Sequence, residues 1–465
     1  MRIHLSEHFT YSKLLRFVLP SIAMVIFTSV YNIVDGLFVS RFVGKVEFAA
    51  LNLVFPVLMI LGSLGTMIGS GGEAIVAKKL GQGRKEKANK YFSMLIFSEL
   101  VLGTIFAIIG YFVLPMLLEK FGATGKFLDD AIIYGRVILI ALPFFIMEFS
   151  FQSFFVTAEK PQLGLAVTVF GGVLNILLDA LFIVVFGWGL IGAALATVAS
   201  QFSCAVLEII YFFRQNDSLL QLTTETKFYR SVFVKACANG SSEMVEMGAS
   251  SAVSVLYNYQ LIKYLGENGV AAYGVMEYIS FIFAAIFLGY TLGISPAISF
   301  QFGAKGFDEL KNLLKKSLVF VGIFGLIMFA CAEIFAATFA NIFVGYDAEL
   351  YELTIHAFKI YAISFLFIGF NIFGSAFFTA LNNGVLSAVI SFVRTFVFEI
   401  GCVILLPIIF GVEGIWYSVI FAEGGAFILT GIILFANRKN ISMLNCGFQF
   451  PIQSKNFSLR RCSLK

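Results

Sequence analysis

Charged residues are scarce in this 465-residue chain, where Asp, Glu, Lys and Arg together make up only 13%. A soluble domain has about 25% charged residues, so the composition excludes an ordinary water-soluble protein. Histidine occurs three times and cysteine six times, and neither shows a spacing typical of a metal site. The net charge of +4 comes from loops, and we assign no nucleic-acid binding to it. Apolar residues, by contrast, make up 59% of the chain, with 56 phenylalanines.

Long apolar runs divide the sequence into candidate membrane spans. A helix needs roughly 20 apolar residues to cross a bilayer. The runs that approach or exceed this length cover residues 14–39, 50–77, 91–118, 131–157, 162–186, 190–213, 233–262, 270–299, 314–343, 354–380, 384–410 and 414–436. The sequence therefore predicts an all-α polytopic membrane protein with twelve transmembrane helices.

The two halves of the chain repeat each other at an offset of 222 residues. Gly44 aligns with Gly266 and Gly81 with Gly303, and no gap is needed between them. Each repeat holds six spans, and because six is even, both cross the membrane in the same direction, as in transporters with parallel repeats. The predicted units are an N-terminal lobe at 1–213, a linker at 214–232, a C-terminal lobe at 233–436 and a tail at 437–465.

The loop charges predict the orientation. If both termini are cytoplasmic, the loops and termini on that side hold 24 of the 32 Lys and Arg residues, and the opposite loops hold five. The positive-inside rule then favours an inner-membrane protein with both termini and the tail in the cytoplasm. In a reducing compartment we expect no disulfides among the six cysteines, which are Cys204, Cys237, Cys331, Cys402, Cys446 and Cys462.

Two acidic residues stand out among those in the apolar spans of the first half. An ionised carboxylate in mid-span costs about 2.5–3.5 kcal/mol on insertion scales, so Asp35 and Asp179 each need a reason. Helix rise places both roughly 5–10 Å from the outer ends of their helices, at a depth similar to Tyr134 and Thr197. Asn175 precedes Asp179 by four residues and shares its helix face.

The offset places Tyr257 at the position of Asp35 and Gly401 at that of Asp179, so this cluster is absent from the second half. A purely architectural role would recur in both copies, whereas a single coupling site needs only one. The five residues are therefore candidates for a functional site.

Four stretches carry a family resemblance. They are YNIVDGLFVSRFVG in helix 1, the loop LGQGRKEKAN, NILLDALFI in helix 5 and GLIGAALATVASQ in helix 6. In order and spacing they resemble the multidrug and toxic compound extrusion (MATE) family, most closely its bacterial MepA-like branch. The resemblance implies that the first-half cluster couples transport to protons or sodium through Asp35, Asn175, Asp179 and Thr197, with Tyr134 a weaker member.

The second half carries other charges at membrane depth. Glu243 and Glu246 lie early in helix 7, where they either attract a cationic substrate or line a solvated inner mouth. Arg394 and Glu399 are five residues apart and point in different directions, so we expect any partner on a neighbouring helix. Their roles, and that of Glu423, stay open.

A proline lies within the first predicted span, where it affects the shape of the helix. Pro20 removes a backbone donor about four turns before Asp35, so we expect it to bend or weaken the helix there.

The sequence as a whole predicts a proton- or sodium-coupled antiporter that exports amphiphilic organic cations by alternating access. It works in the lipid bilayer as a monomer and needs no cofactor and no metal beyond the coupling ion. Two alternatives remain: a flippase for lipid-linked precursors, which needs a cationic cavity, and an intramembrane enzyme, which needs a nucleophile with a base or a metal set.

Overall fold

The computed structural model describes residues 3–121 and 123–443, and this part of the chain is built from helices without strands. The tail from residue 444, with Cys446 and Cys462, lies outside the described residues. Helices are expected in lipid because their backbone polar groups are paired within one segment.

The first repeat consists of six helices. They are α1 (Tyr11–Phe38), α2 (Lys45–Gly81), α3 (Lys85–Lys120), α4 (Gly125–Thr157), α5 (Pro161–Asp179) and α6 (Gly189–Phe213). Two of them continue as π-helical segments, α1 through Val39–Val43 and α5 through Ala180–Val185. A π segment contains an extra residue per turn and is often found at functional sites.

The second repeat is less regular. Its helices are α8 (Ser241–Ala304), α9 (Phe307–Val344), α10 (Ala348–Ala362), α11 (Phe365–Ala380), α12 (Gly384–Phe392), α13 (Ile400–Phe410) and α14 (Val412–Met443), with a π segment at Val393–Glu399 between α12 and α13. A short helix, α7 (Arg230–Asn239), precedes α8.

The described helices account for twelve membrane passes. Ten are long and apolar enough to cross a bilayer, or eleven when α10 and α11, which meet at a 48° bend, are taken as one span. The 64 residues of α8 would extend about 96 Å as one helix, about three times the hydrocarbon thickness. This helix breaks at Gly266, whose φ of 62° and ψ of −147° suit glycine alone, so α8 makes two passes.

One predicted boundary was wrong. The seventh span was expected to begin at residue 233, yet it begins at Ser241, after the separate helix α7. The chain turns at Gly240, where an added Cβ atom would lie 1.9 Å from the carbonyl oxygen of Met67 in α2. Packing against α2 therefore ends α7 inside an apolar run that looks continuous in the sequence.

The two repeats pack closely at the membrane side where α1 begins and α14 ends, which we call the terminal side. A Cβ atom added to Gly81 of α2 would lie 2.0 Å from the carbonyl oxygen of Phe300 in α8. No side chain fits at such a distance, so the two backbones touch. The first half of α1, including Phe17 and Val18, also belongs to the core of the second repeat. The structure is therefore closed on the terminal side.

Residues 3–10, which we call the N-terminal strap, connect the two repeats across the same side. The carboxylate of Glu159, between α4 and α5, accepts hydrogen bonds from Leu5 N at 2.7 Å and pairs with His4 Nδ1 at 2.6 Å. The carboxylate of Glu309, in α9, does the same with Phe9 N at 2.9 Å and His8 Nδ1 at 2.5 Å. The strap is therefore anchored to both repeats.

Leu5 and Phe9 are fully buried beneath the strap. Their carbonyl groups are held as well: Gln301 Nε2 donates to Leu5 O at 2.9 Å, and Asn312 Nδ2 donates to Phe9 O at 3.0 Å. Lys316 also donates to Phe9 O. Apolar burial and backbone hydrogen bonds thus hold the strap at several points.

Candidate functional site

The two first-repeat acids lie beside the two π segments. Asp35 is near the end of α1, just before Val39–Val43, and Asp179 is the last residue of α5, just before Ala180–Val185. These π segments pack against one another in the half of the membrane away from the terminal side. The fold therefore brings the two carboxyl groups to the same place from different helices.

The structure brings all five predicted residues together. The carboxyl groups of Asp35 and Asp179 lie close enough to influence each other electrostatically, and the Tyr134 hydroxyl lies within electrostatic range of both. Asn175 Nδ2 donates to Thr197 Oγ1 at 3.4 Å, and Thr197 in turn donates to the backbone oxygen of Ala193 at 3.1 Å.

This first-repeat cluster is rich in unpaired acceptor oxygens. Asp179 is fully buried, and Asn175 and Tyr134 are 3% and 4% exposed. Asp35 Oδ1, Asn175 Oδ1 and both carboxylate oxygens of Asp179 are buried and have no hydrogen-bond partner among the described residues. Buried acceptors in this number favour a ligand that supplies positive charge, either a proton on a carboxyl group or a hard cation between the oxygens.

The second-repeat acids predicted as substrate ligands are each engaged elsewhere. Glu246 accepts a hydrogen bond from Arg394 Nη1 at 2.7 Å, and Glu243 accepts one from the Ser242 hydroxyl at 2.5 Å. The structure therefore does not place either of them in the first-repeat cluster. Their part in substrate binding stays a prediction.

Arg394 is the centre of a network that the sequence only outlined. It lies in the π segment Val393–Glu399 and also donates to Glu423 Oε1 of α14, from Nε at 3.0 Å and from Nη2 at 2.8 Å. The expectation that its partners lie on neighbouring helices is confirmed. Asn371 of α11 donates to Glu423 Oε2 at 2.6 Å and accepts from Thr430 at 3.2 Å.

An arginine in the middle of a span was the sequence signal for this network, because a buried charge requires a partner. The sequence did not show which of the several glutamates would pair with Arg394.

Pro20, the predicted bend of helix 1, lies inside α1, which the structure shows as one uninterrupted helix from Tyr11 to Phe38. A bend at Pro20 during transport remains a prediction.

Comparison with protein families resolves the identity of this architecture. The MatE family model matches residues 20–181 and 244–405, once in each repeat. The chain belongs to the MatE family. The two matched stretches begin 224 residues apart, close to the 222-residue offset of the internal repeat, which supports the division of the chain into two repeats.

Curated relatives and solved structures of MatE members agree with this assignment. The chain is 22% identical to the multidrug export protein MepA of Staphylococcus saprophyticus, over 93% of the chain and 95% of MepA. It is 23% identical to MepA of Staphylococcus aureus over the same shares. A crystal structure of a MATE protein in complex with MaL6 superimposes with a TM-score of 0.88 at 23% identity, over 94% of this chain and 98% of that one.

A second solved structure is described as an outward-facing conformation of a multidrug resistance MATE transporter, and it superimposes with a TM-score of 0.87 at 23% identity, over 94% and 97% of the two chains. These likenesses establish the fold. Membership in a family of transporters also sets aside the intramembrane enzyme, and the predicted resemblance to the MATE family is confirmed.

Proposed function

We propose that this MatE protein exports small organic cations in exchange for inward flow of protons or sodium ions through the first-repeat cluster. The observation that carries the proposal is the pair of interacting acids, Asp35 and Asp179, whose buried oxygens have no partner among the described residues. Two neighbouring carboxyl groups in apolar surroundings cannot both stay ionised unless a cation lies beside them, so without a cation one of them holds a proton. The multidrug export names of the MepA relatives support the choice of cargo.

Alternating access would be controlled by the same pair of acids. We infer that the repeats act as lobes, at 1–213 and 233–436, joined by the linker, and that occupation of the cluster shifts the balance between their two arrangements. A ligand shifts such a balance only through a difference in its affinity for the two states. The present arrangement is closed on the terminal side, which we assign to the cytoplasm on the basis of the loop charges. We expect the working unit to be a monomer.

The coupling ion is a proton or sodium. Asp35, Asp179, Asn175 and Thr197 together offer enough oxygen atoms for Na⁺, whereas two adjacent carboxyl groups also suit a shared proton. The flippase alternative requires free positive charge in the cavity, and the guanidinium of Arg394 is instead paired with Glu246 and Glu423.

The test is efflux of a fluorescent cationic dye from cells that express the full chain, with pH and sodium varied independently. We expect Asp35→Asn and Asp179→Asn to abolish gradient-driven efflux, because each removes one of the two interacting acids. Asp308→Asn is the matched control, since its carboxylate is fully exposed on the terminal side. Efflux that responds to pH alone identifies protons, and efflux that responds to sodium alone identifies sodium.

Wild-type efflux in Asp35→Asn at equal expression would refute the coupling role of this residue. Absence of dye efflux from wild-type cells would count against cationic cargo.

A further inference from the structure

The second repeat holds a different polar cluster at the place that the acids occupy in the first. Tyr257 stands at the repeat position of Asp35, and Glu399 lies two residues before Gly401, the repeat position of Asp179. Helix rise places Tyr257 about 13 Å from the break of α8 at Gly266, and Tyr273 about 10 Å beyond it. Both tyrosines therefore lie in the half of the membrane away from the terminal side, at a similar depth.

Three tyrosines lie near the carboxyl group of Glu399 in this cluster, and Glu277 and Glu423 are also within electrostatic range of some of them. The rings of Tyr257 and Tyr273 stack with centroids 5.0 Å apart and planes 17° apart. The Glu399 carboxyl group lies within electrostatic range of the hydroxyls of Tyr257, Tyr273 and Tyr361. We call these four residues the tyrosine–glutamate cluster.

The hydroxyl of Tyr257 is an unexplained polar group. The residue is 5% exposed, and its oxygen has no hydrogen-bond partner in the described part of the chain. A buried phenol normally finds a partner, since leaving it unpaired costs free energy. The unpaired hydroxyl marks the surroundings of Tyr257, near Glu399, as a candidate position for a ligand.

Neighbouring contacts hold this part of α8 in place. Gln260 Nε2 donates to the carbonyl oxygen of Val403 at 3.2 Å, and the Tyr264 hydroxyl donates to that of Pro407 at 3.3 Å. Both carbonyls belong to α13, which begins directly after Glu399. The helix that carries Tyr257 is thus fixed against the helix that follows the carboxylate.

The charges of this region do not balance. Glu246, Glu399 and Glu423 lie within electrostatic range of one another and of a single cation, Arg394. Arg394 is committed to Glu246 and Glu423 by three hydrogen bonds. Glu399 forms neither a hydrogen bond nor a salt bridge within residues 3–121 and 123–443. An additional positive charge is therefore favoured beside Glu399.

We propose that the tyrosine–glutamate cluster binds the positive group of the exported organic cation, against a free outer face of the stacked Tyr257 and Tyr273 rings and beside the carboxylate of Glu399. Tyrosine faces attract large, weakly hydrated cations, whereas Na⁺ prefers several oxygen ligands. The cluster thus suits a quaternary ammonium or phosphonium group. This inference rests on the proposed export of organic cations and assigns cargo and coupling ion to different repeats.

The experiment measures equilibrium binding of tetraphenylphosphonium to the purified full chain in lipid nanodiscs, without any gradient. We expect Glu399→Gln to raise Kd about tenfold or more, which corresponds to the loss of one charge contact. Tyr257→Leu should raise Kd about 2- to 30-fold through loss of a cation–π contact, whereas Tyr257→Phe, which keeps the ring, should retain binding. Tyr259→Phe is the control on the same helix, because the Tyr259 side chain is 67% exposed, and it should bind as wild type does. Thermal unfolding and gel filtration establish first that each variant is folded.

Three results would overturn the proposal: no saturable binding by wild type below about 1 mM, unchanged binding in Glu399→Gln, or loss of binding in Asp35→Asn with Glu399→Gln unaffected. The last result would place the cargo in the first repeat. The efflux experiment tests the proposed function separately, because the binding measurement uses no gradient and requires neither a coupling ion nor efflux.

Discussion

Removal of the Arg394 side chain tests the charge network of the second repeat. Arg394 joins Glu246 of α8 to Glu423 of α14, and its own side chain is 13% exposed. The variant Arg394→Met keeps a long apolar side chain and deletes the positive charge. It leaves two glutamates without the cation that holds them.

The magnitude follows from the burial of the two partners. Loss of one member of a buried ion pair costs about 3–5 kcal/mol, because the remaining charge stays in apolar surroundings. The Glu423 side chain is 6% exposed, so it carries most of this cost, whereas that of Glu246 is 31% exposed and is partly solvated. We therefore expect a loss of about 3 kcal/mol, at the lower end of this range.

A second substitution separates charge from packing. In the double variant Arg394→Met with Glu423→Gln, the more buried carboxylate is neutral, and most of the lost stability should return. The assay is thermal unfolding of the purified full chain in detergent, with melting temperatures compared among wild type, both single variants and the double variant. The reasoning is refuted if the melting temperature of Arg394→Met equals that of wild type, or if the melting temperature of the double variant is lower than that of Arg394→Met.

Three further substitutions, one of them with a control variant, test the closed arrangement, the strap and the break of α8. Gly81→Ala places a Cβ atom 2.0 Å from the carbonyl oxygen of Phe300 and should separate spin labels on the terminal sides of the two repeats, whereas Gly248→Ala, with open space around it, should not. Glu309→Gln weakens the strap anchor in α9 and should increase proteolysis of the strap; unchanged cleavage would contradict an anchoring role. Gly266→Ala should cost about 1–3 kcal/mol in a melting experiment, because its φ of 62° is unfavourable for alanine.

Much of this fold was predictable because hydropathy reports directly on burial in lipid. The apolar runs gave twelve spans, and Gly266 falls in the gap between the seventh and the eighth of them. The start of the seventh span was not predictable, since the turn at Gly240 depends on contact with Met67 of α2. Such a contact is tertiary and leaves no mark on the apolar run itself.

The candidate site shows the same division. An acidic residue in the middle of a span has a high insertion cost, so Asp35 and Asp179 could each be identified from the sequence alone. The Arg394 partners were expected on other helices, but which glutamates they are depends on how α8 and α14 rotate. His4 and His8 gave no signal, because a polar segment before the first span looks like an ordinary terminus. Only the structure shows that it is anchored at both ends.

The N-terminal strap limits how far the terminal side can open. The Leu5 amide, held by Glu159, and the Phe9 amide, held by Glu309, are four positions apart along the chain. Leu5 is also bonded to Gln301 of the second repeat, so this hydrogen bond must break first when the repeats separate. A fully extended chain spans at most about 3.6 Å per residue, so the two amides can then move no more than about 14 Å apart. Any wider opening must detach one anchor first. The strap therefore acts as a tether of fixed length, and the weaker anchor determines which repeat keeps it when the protein opens.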